Sequence, residues 1–189
     1  ARNGAAVTLV PPPRTDLPAS ARQGKTVEIP SQAVIMGNVF EGGFFLGGML
    51  VSGNEAVIAD NVFTGYSKEA AVVLSGSSLV FKGNIVDLTN EPDTPDNTRE
   101  GIEVKGNDII LADNQIVCRS LDPDRKTTAI LIGDSVRNVI VHDNILRNCA
   151  YGIRFGYREF SFQTNAWNYH CKEQPLPEQN IHIHDNLIR

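Results

Sequence analysis

Tryptophan, methionine and cysteine are scarce in this chain: 189 residues hold one Trp, two Met and three Cys. Long apolar runs are missing altogether. Nothing approaches the roughly 20 residues that a membrane-spanning helix needs, so no membrane span is expected. Excess positive charge is also lacking, since 17 Lys and Arg stand against 22 Asp and Glu for a formal charge of −5. A nucleic-acid-binding face requires a basic surplus, so no nucleic-acid partner is expected. Cys118, Cys149 and Cys171 permit at most one disulfide, leave one thiol over, and fit no zinc spacing. Buried or bystander thiols are the first expectation for them, with a disulfide as the alternative. The opening Ala1-Arg2-Asn3-Gly4 lacks the charged-then-apolar pattern of a secretory leader, as a mature or trimmed secreted chain would.

Repetition takes the place of composition as the informative feature. The stretch Asn138-Val139-Ile140-Val141-His142-Asp143-Asn144-Ile145-Leu146 has counterparts whose asparagines are Asn38, Asn61, Asn84, Asn114 and Asn186. Each reads apolar, any, apolar, any, Gly or Asp, Asn, then two mostly apolar residues. The asparagines stand 23, 23, 30, 30 and 42 residues apart. That is a unit of about 23 residues with insertions, and a period in this range marks a solenoid.

A second segment recurs upstream in each unit: Met49-Leu50-Val51, Val72-Val73-Leu74, Ile102-Glu103-Val104, Ile130-Leu131-Ile132 and Ile153-Arg154-Phe155. Its outer residues are always large and apolar while the middle one varies. Side chains alternate across a strand, so the outer pair should face a core and the middle residue should face outward. A third short strand should follow each asparagine, with Phe40, Phe63, Val86, Ile116, Leu146 and Ile188 in register inside. Ile109, Leu111, Val139, Val141, Ile181 and Ile183 are likewise expected in the core. Asparagine tolerates the left-handed backbone of a sharp bend. Amides stacked about 4.8 Å apart can also hydrogen-bond along their column and satisfy buried turn backbone.

Residues 1–24 read as an irregular Pro-rich arm, because Pro11-Pro12-Pro13 and Pro18 forbid a regular helix or central strand. Residues 25–189 read as one domain, opened by a strand around Val27 and Ile29 and interrupted by an insertion at 157–179. Three short strands per unit, with no helical segment between them, give an all-β coil of parallel sheets. On these residues the chain resembles the right-handed parallel β-helix repeat proteins of the pectin-lyase-like superfamily. The resemblance implies a right-handed solenoid of about six coils and an outward strand that lines a polysaccharide groove. For lyases it implies a basic proton abstractor beside cations that neutralise a uronate carboxylate. The superfamily's hydrolase signature, three clustered aspartates with a downstream Gly-His-Gly, is missing here.

Function in a solenoid sits in insertions and outward residues. Insertions at 87–99 and 119–126 fall at one turn of adjacent coils and should form a wall; the second carries Arg125, a candidate sugar contact. The insertion at 157–179 carries Tyr157, Phe160, Phe162, Trp167, Tyr169 and His170. Tyr157 and Trp167 are candidate stacking platforms for a pyranose ring, the plainer role being a cap over the last coil's open edge. Beside the wall runs the outward column Leu50, Val73, Glu103, Leu131, Arg154, with Lys105 alongside. Glu103 and Arg154 are two coils apart, about 10 Å at the backbone, so both side chains can reach one sugar. On the resemblance, Lys105 and Arg154 take the lyase's base and cation roles and Glu103 is the acid. Ordinary surface charges are the alternative.

His142 and His184 share an outward position on neighbouring coils, with His182 two residues before the latter. The three imidazoles suit a divalent transition metal, although Asp143 and Asp185 belong to the bend and no carboxylate completes the set. The sequence requires no cofactor. The column Val34, Val57, Val80, Ile110, Ile140 forms an apolar stripe on that outer face, which the Pro-rich arm or a partner should cover.

These features lead to the expectation of a secreted or periplasmic carbohydrate-active β-helix protein that acts on or binds acidic polysaccharide, lyase-like if catalytic. The alternative is a non-catalytic glycan-binding or structural segment of a larger extracellular protein. That alternative draws on the missing N-terminal helical cap and the end at Arg189 in mid-unit. Polysaccharide is the expected partner, with self-association or a larger parent chain as further options.

Overall fold

The structure, a computed structural model, describes residues 27–29, 31–43, 49–66, 70–89, 100–119, 127–161, 166–172 and 179–189. Period-two alternation makes each short segment a strand, and three strands make one coil. The first strands stack into sheet A: β1 (Val27–Ile29), β4 (Met49–Val51), β7 (Val72–Leu74), β10 (Glu100–Val104), β13 (Thr128–Ile132) and β16 (Tyr151–Ser161). The second strands form sheet B: β2 (Val34–Met36), β5 (Val57–Ala59), β8 (Ser77–Lys82), β11 (Asn107–Ala112), β14 (Val139–His142) and β18 (Ile181–His184). The third strands form sheet C: β3 (Val39–Gly43), β6 (Val62–Tyr66), β9 (Ile85–Asp87), β12 (Gln115–Val117), β15 (Ile145–Arg147) and β19 (Leu187–Ile188). Pairing between coils is parallel and in register, so Val34, Val57, Val80, Ile110, Ile140 and His182 form one column down sheet B. The fold is a right-handed parallel β-helix, with six coils among the described residues.

The core is the inward half of that alternation. Ile102, Val104, Ile109, Leu111, Ile116, Ile130, Ile132, Val139, Val141 and Leu146 are all buried, each worth about 1.5–3 kcal/mol. Phe40 and Phe63 stack across coils with ring centroids 4.9 Å apart. The expected burial of Ile181, Ile183 and Ile188 does not hold: Ile183 and Ile188 are exposed and Ile181 is half-buried. Their register partners Val139, Val141 and Leu146 are buried. The difference is position, because among the described residues β18 and β19 are the outermost strands of their sheets.

Single left-handed residues turn the chain at both ends of sheet B. Gln32, Glu55, Ser78, Asp108, Asn138 and Asn180 form one column of positive φ; Gly37, Asp60, Gly83, Asp113, Asp143 and Asp185 form the other. The second column corrects an expectation: the bend belongs to the residue before each repeated asparagine, not to the asparagine. The asparagine amide is thereby left to bond between coils. Asn84 Oδ1 accepts from both the backbone N–H and the Nδ2 of Asn61, each at 3.0 Å. The same pair of bonds runs from Asn84 to Asn114, Asn114 to Asn144, and Asn144 to Asn186. Each Nδ2 also donates to a strand carbonyl, as Asn114 does to Phe81. Buried amides need every such partner.

Two further features bear on the site. Cys118 and Cys149 form a disulfide, which corrects the expectation of buried or bystander thiols for this pair. They follow sheet C on adjacent coils, and their Cα separation of 4.8 Å lies within the range a disulfide spans. The second is the insertion at 157–179, whose described part is an antiparallel hairpin. Strand β16 pairs with β13 only as far as Phe155 and then with β17 (Ala166–Lys172). At the changeover stands Gly156, whose φ of 132° suits a residue without Cβ. The hairpin extends sheet A and leaves Ile183 and Ile188 uncovered.

Asn114→Ala should lower the unfolding free energy by about 1–3 kcal/mol, since buried donors and acceptors lose their partner. Replacing both Cys118 and Cys149 by Ala should cost about 4 kcal/mol from the reopened chain loop. Denaturant melts of the variants check both figures.

Candidate functional site

The alternation that turns Ile102 and Val104 inward turns Glu103 outward, and parallel register stacks Leu50, Val73, Glu103, Leu131 and Arg154 in one column. That column is not a solvated face. Val73 and Leu131 are buried, Leu50 and Arg154 are half-buried, and Glu103 is only 2% exposed. The surface-charge alternative therefore fails for Glu103, because a carboxylate with so little access to water must be compensated. Part of the compensation is Lys105, two residues on and on the same face, whose Nζ lies 3.1 Å from Glu103 Oε1. The lysine side chain is 52% exposed, so the pair spans the boundary between covered floor and solvent. Two coils further on, the Arg154 guanidinium lies over the Tyr151 ring, 4.1 Å from its centroid, a cation–π contact.

The arrangement offers an exposed ammonium and a guanidinium held over an aromatic ring on a largely apolar column. An ammonium is a point charge, whereas a guanidinium plane can bond a carboxylate through two parallel donors. Tyr151 was not anticipated from the sequence; the signal that was available is an aromatic residue three positions before the varying middle residue of its unit.

Of the other sugar-contact candidates, Arg125 lies outside the described residues, as do the wall segments 90–99 and 120–126. Tyr157 and Trp167 lie in the hairpin, where the backbone register sets Tyr157 opposite His170 and Trp167 opposite Phe160. Their side chains are outside the described residues.

On sheet B, His142 and His184 are register partners with parallel rings, 5.2 Å between centroids and 10° between planes. His142 Nδ1 lies 2.6 Å from Asp143 Oδ2, and His184 Nδ1 lies 2.8 Å from Asp185 Oδ2. The carboxylates expected to serve only the bend thus reach back to the imidazoles. The sequence displayed this as a repeated His-Asp dipeptide. A carboxylate accepts, so Nδ1 of each ring carries a proton and donates it to the aspartate.

His182 differs. Its Nε2 lies 2.9 Å from Asn180 Oδ1, Asn180 Nδ2 donates to Asn138 Oδ1, and Asn138 Nδ2 donates to Asp108 Oδ1. Asp108 can only accept, so each amide in the chain is oriented in turn and His182 must donate through Nε2. Among the described residues no three His, Cys, Asp or Glu side chains are arranged to hold a metal ion. The trio His142, His182 and His184 is thereby corrected to a pair and a separately bonded third ring. The neighbouring apolar stripe has Val34 exposed and Val57, Val80, Ile110 and Ile140 half-buried; the Pro-rich arm lies outside the described residues. No helix among the described residues is long and apolar enough to cross a membrane.

Compared with known proteins, the sequence matches the family model described as a right handed beta helix region over residues 20–166. No curated protein and no solved structure matches it.

Lys105→Met should cost about 1–2 kcal/mol, because a covered carboxylate loses a charged partner that is itself half in water. Most of that cost should vanish in a Glu103→Gln background, where no charge needs compensation. A double-mutant cycle of denaturant melts measures the coupling.

Proposed function

We propose that this chain, which belongs to the right-handed β-helix family, is an extracytoplasmic carbohydrate-active protein that holds acidic polysaccharide on the outer face of sheet A. The observation that carries the reading is the burial of Glu103 against Lys105 on an outward strand. A solenoid that only scaffolds gains nothing from a desolvated carboxylate there, since burying charge costs more than a hydrophobic replacement would. Glu103 instead holds Lys105 at the edge of an apolar floor. Lys105 and Arg154 supply cations for uronate carboxylates, and the half-buried Leu50 and Tyr151 suit the apolar faces of pyranose rings. Tyr157, Trp167 and Arg125 are the proposed flanking contacts. The Cys118–Cys149 disulfide supports an oxidising compartment, secreted or periplasmic.

The test is titration with oligosaccharides of uronate polymers and with neutral polymers of matched length, while following the absorbance of an unsaturated product. Binding of the uronate series should weaken about 10- to 100-fold in Arg154→Ala and in Lys105→Ala, the equivalent of one charge-assisted hydrogen bond each. A rise in absorbance lost with the same variants would extend the reading to β-elimination. Equal affinity for neutral and acidic chains, or no binding to either, would end it.

A further inference from the structure

We infer that a second copy of this chain stacks head to tail on the last coil, its first coil continuing sheets B and C beyond β18 and β19. Exposed apolar surface is concentrated at the two ends of the solenoid. Among the described residues, Val34, Met36 and Val39 of the first coil and Ile183, Leu187 and Ile188 of the last are exposed large hydrophobics, and Ile85 is the one other. Ile183 and Ile188 occupy inward positions, as register partners of the buried Val141 and Leu146. At the opposite end Ile35 and Phe40 keep 6% and 7% exposure, where their partners Ile58 and Phe63 have none. The outermost strands are β18 and β19 at one end and β2 and β3 at the other, and strand edges beside apolar surface are templates for a further chain.

The corner between sheets B and C decides which chain fits, because three bonds recur there at each step. The N–H of the bend residue donates to the carbonyl before the next bend, as Asp60 does to Lys82. The asparagine N–H donates to the next asparagine Oδ1, as Asn61 does to Asn84. The asparagine carbonyl accepts from the N–H that follows the next asparagine, as Asn144 does from Leu187. At the last coil the groups in these roles are the Asp185 N–H, the Asn186 N–H and the Asn186 carbonyl. The first coil holds the three complements: the Met36 carbonyl, Asn38 Oδ1 and the Val39 N–H. From Asn61 to Asn186 each Oδ1 of the column accepts two donors from the asparagine before it, a place that for Asn38 no described residue takes. Both copies point the same way along the axis, so strand pairing stays parallel. The repeat's register then sets Ile183 beside Ile35, Leu187 beside Val39 and Ile188 beside Phe40, about 4.8 Å apart. In sheet A, β17 pairs with β16 from Phe155 onward, and the same register places Glu28 beside Arg154, acid against base. A contact between two different ends is heterologous, and translation along the solenoid axis does not close it. The contact lies at the ends of the coil and does not rest on the glycan reading.

The experiment follows the weight-average mass of the full chain by sedimentation equilibrium, from micromolar to millimolar concentration. The mass should climb with concentration and not stop at the dimer. Ile188→Lys alters the last coil and Val39→Lys the first; both side chains are exposed, so the fold is retained, which melting curves verify. Each variant alone should associate more than about 10-fold more weakly, as for loss of one central contact. Mixed in equal amounts, the two should form a dimer of wild-type affinity that grows no further, because the mixture holds one intact first coil and one intact last coil per pair. Ile85→Lys, an exposed position between the ends, should leave association within error. A wild-type chain that stays monomeric throughout, or Val39→Lys that still pairs with itself at wild-type affinity through two last coils, would overturn the inference. So would a mixture no tighter than either variant alone, or a loss of association in Ile85→Lys.

Discussion

Parallel, in-register hydrogen bonding between successive coils is the constraint on which everything else in this molecule depends. It places equivalent residues about 4.8 Å apart in unbroken columns, so whatever chemistry a position carries is repeated against itself. Apolar inward positions therefore become a continuous core. Left-handed corner residues become two columns of bends, filled by Gly, Asp, Asn, Ser, Gln and Glu. The asparagine after the second corner meets another asparagine, and an amide is among the few side chains that can both donate to and accept from its own copy.

The same rule makes departures from likeness informative. A column of identical charges would repel itself, so a charged residue inside an apolar column stands out against its neighbours. Glu103 between Val73 and Leu131 is such a place. Its cost is offset by Lys105 from the same strand face, two residues along. Sheet B makes the opposite choice at His142 and His184, where like does stack on like. Each ring is tied back to the aspartate that turns the next bend. Corner and outer face are thus one system there: the residue that bends the chain also sets the histidine tautomer.

The disulfide and the hairpin act where the repeat changes character. Cys118 and Cys149 join the two coils that precede β16, and the hairpin begins once β16 has run past its partner β13. Arg154 lies in the short paired segment between these two features. Its position depends on the staple beneath it and on Tyr151 beside it.

The sequence by itself determined the solenoid, its three strands per coil, the inward residues and the outward column, because all of these follow from a period of two within strands and of about 23 between coils. It also named Glu103, Lys105, Arg154, His142 and His184 as outward residues. Only the tertiary structure decided how those side chains differ from a solvated surface. Local alternation says which way Glu103 points, but burial is set by everything stacked and folded over it. Periodicity likewise implied that Ile183 and Ile188 were core, yet burial on their far side needs a further coil, a property of the stack and not of the strand. The Cys118–Cys149 bond and the orientation of the His182 ring depend on distances between coils and on a chain of hydrogen bonds ending at Asp108. Residues about 30 positions apart in the chain acquire those relations only when the coils close on one another.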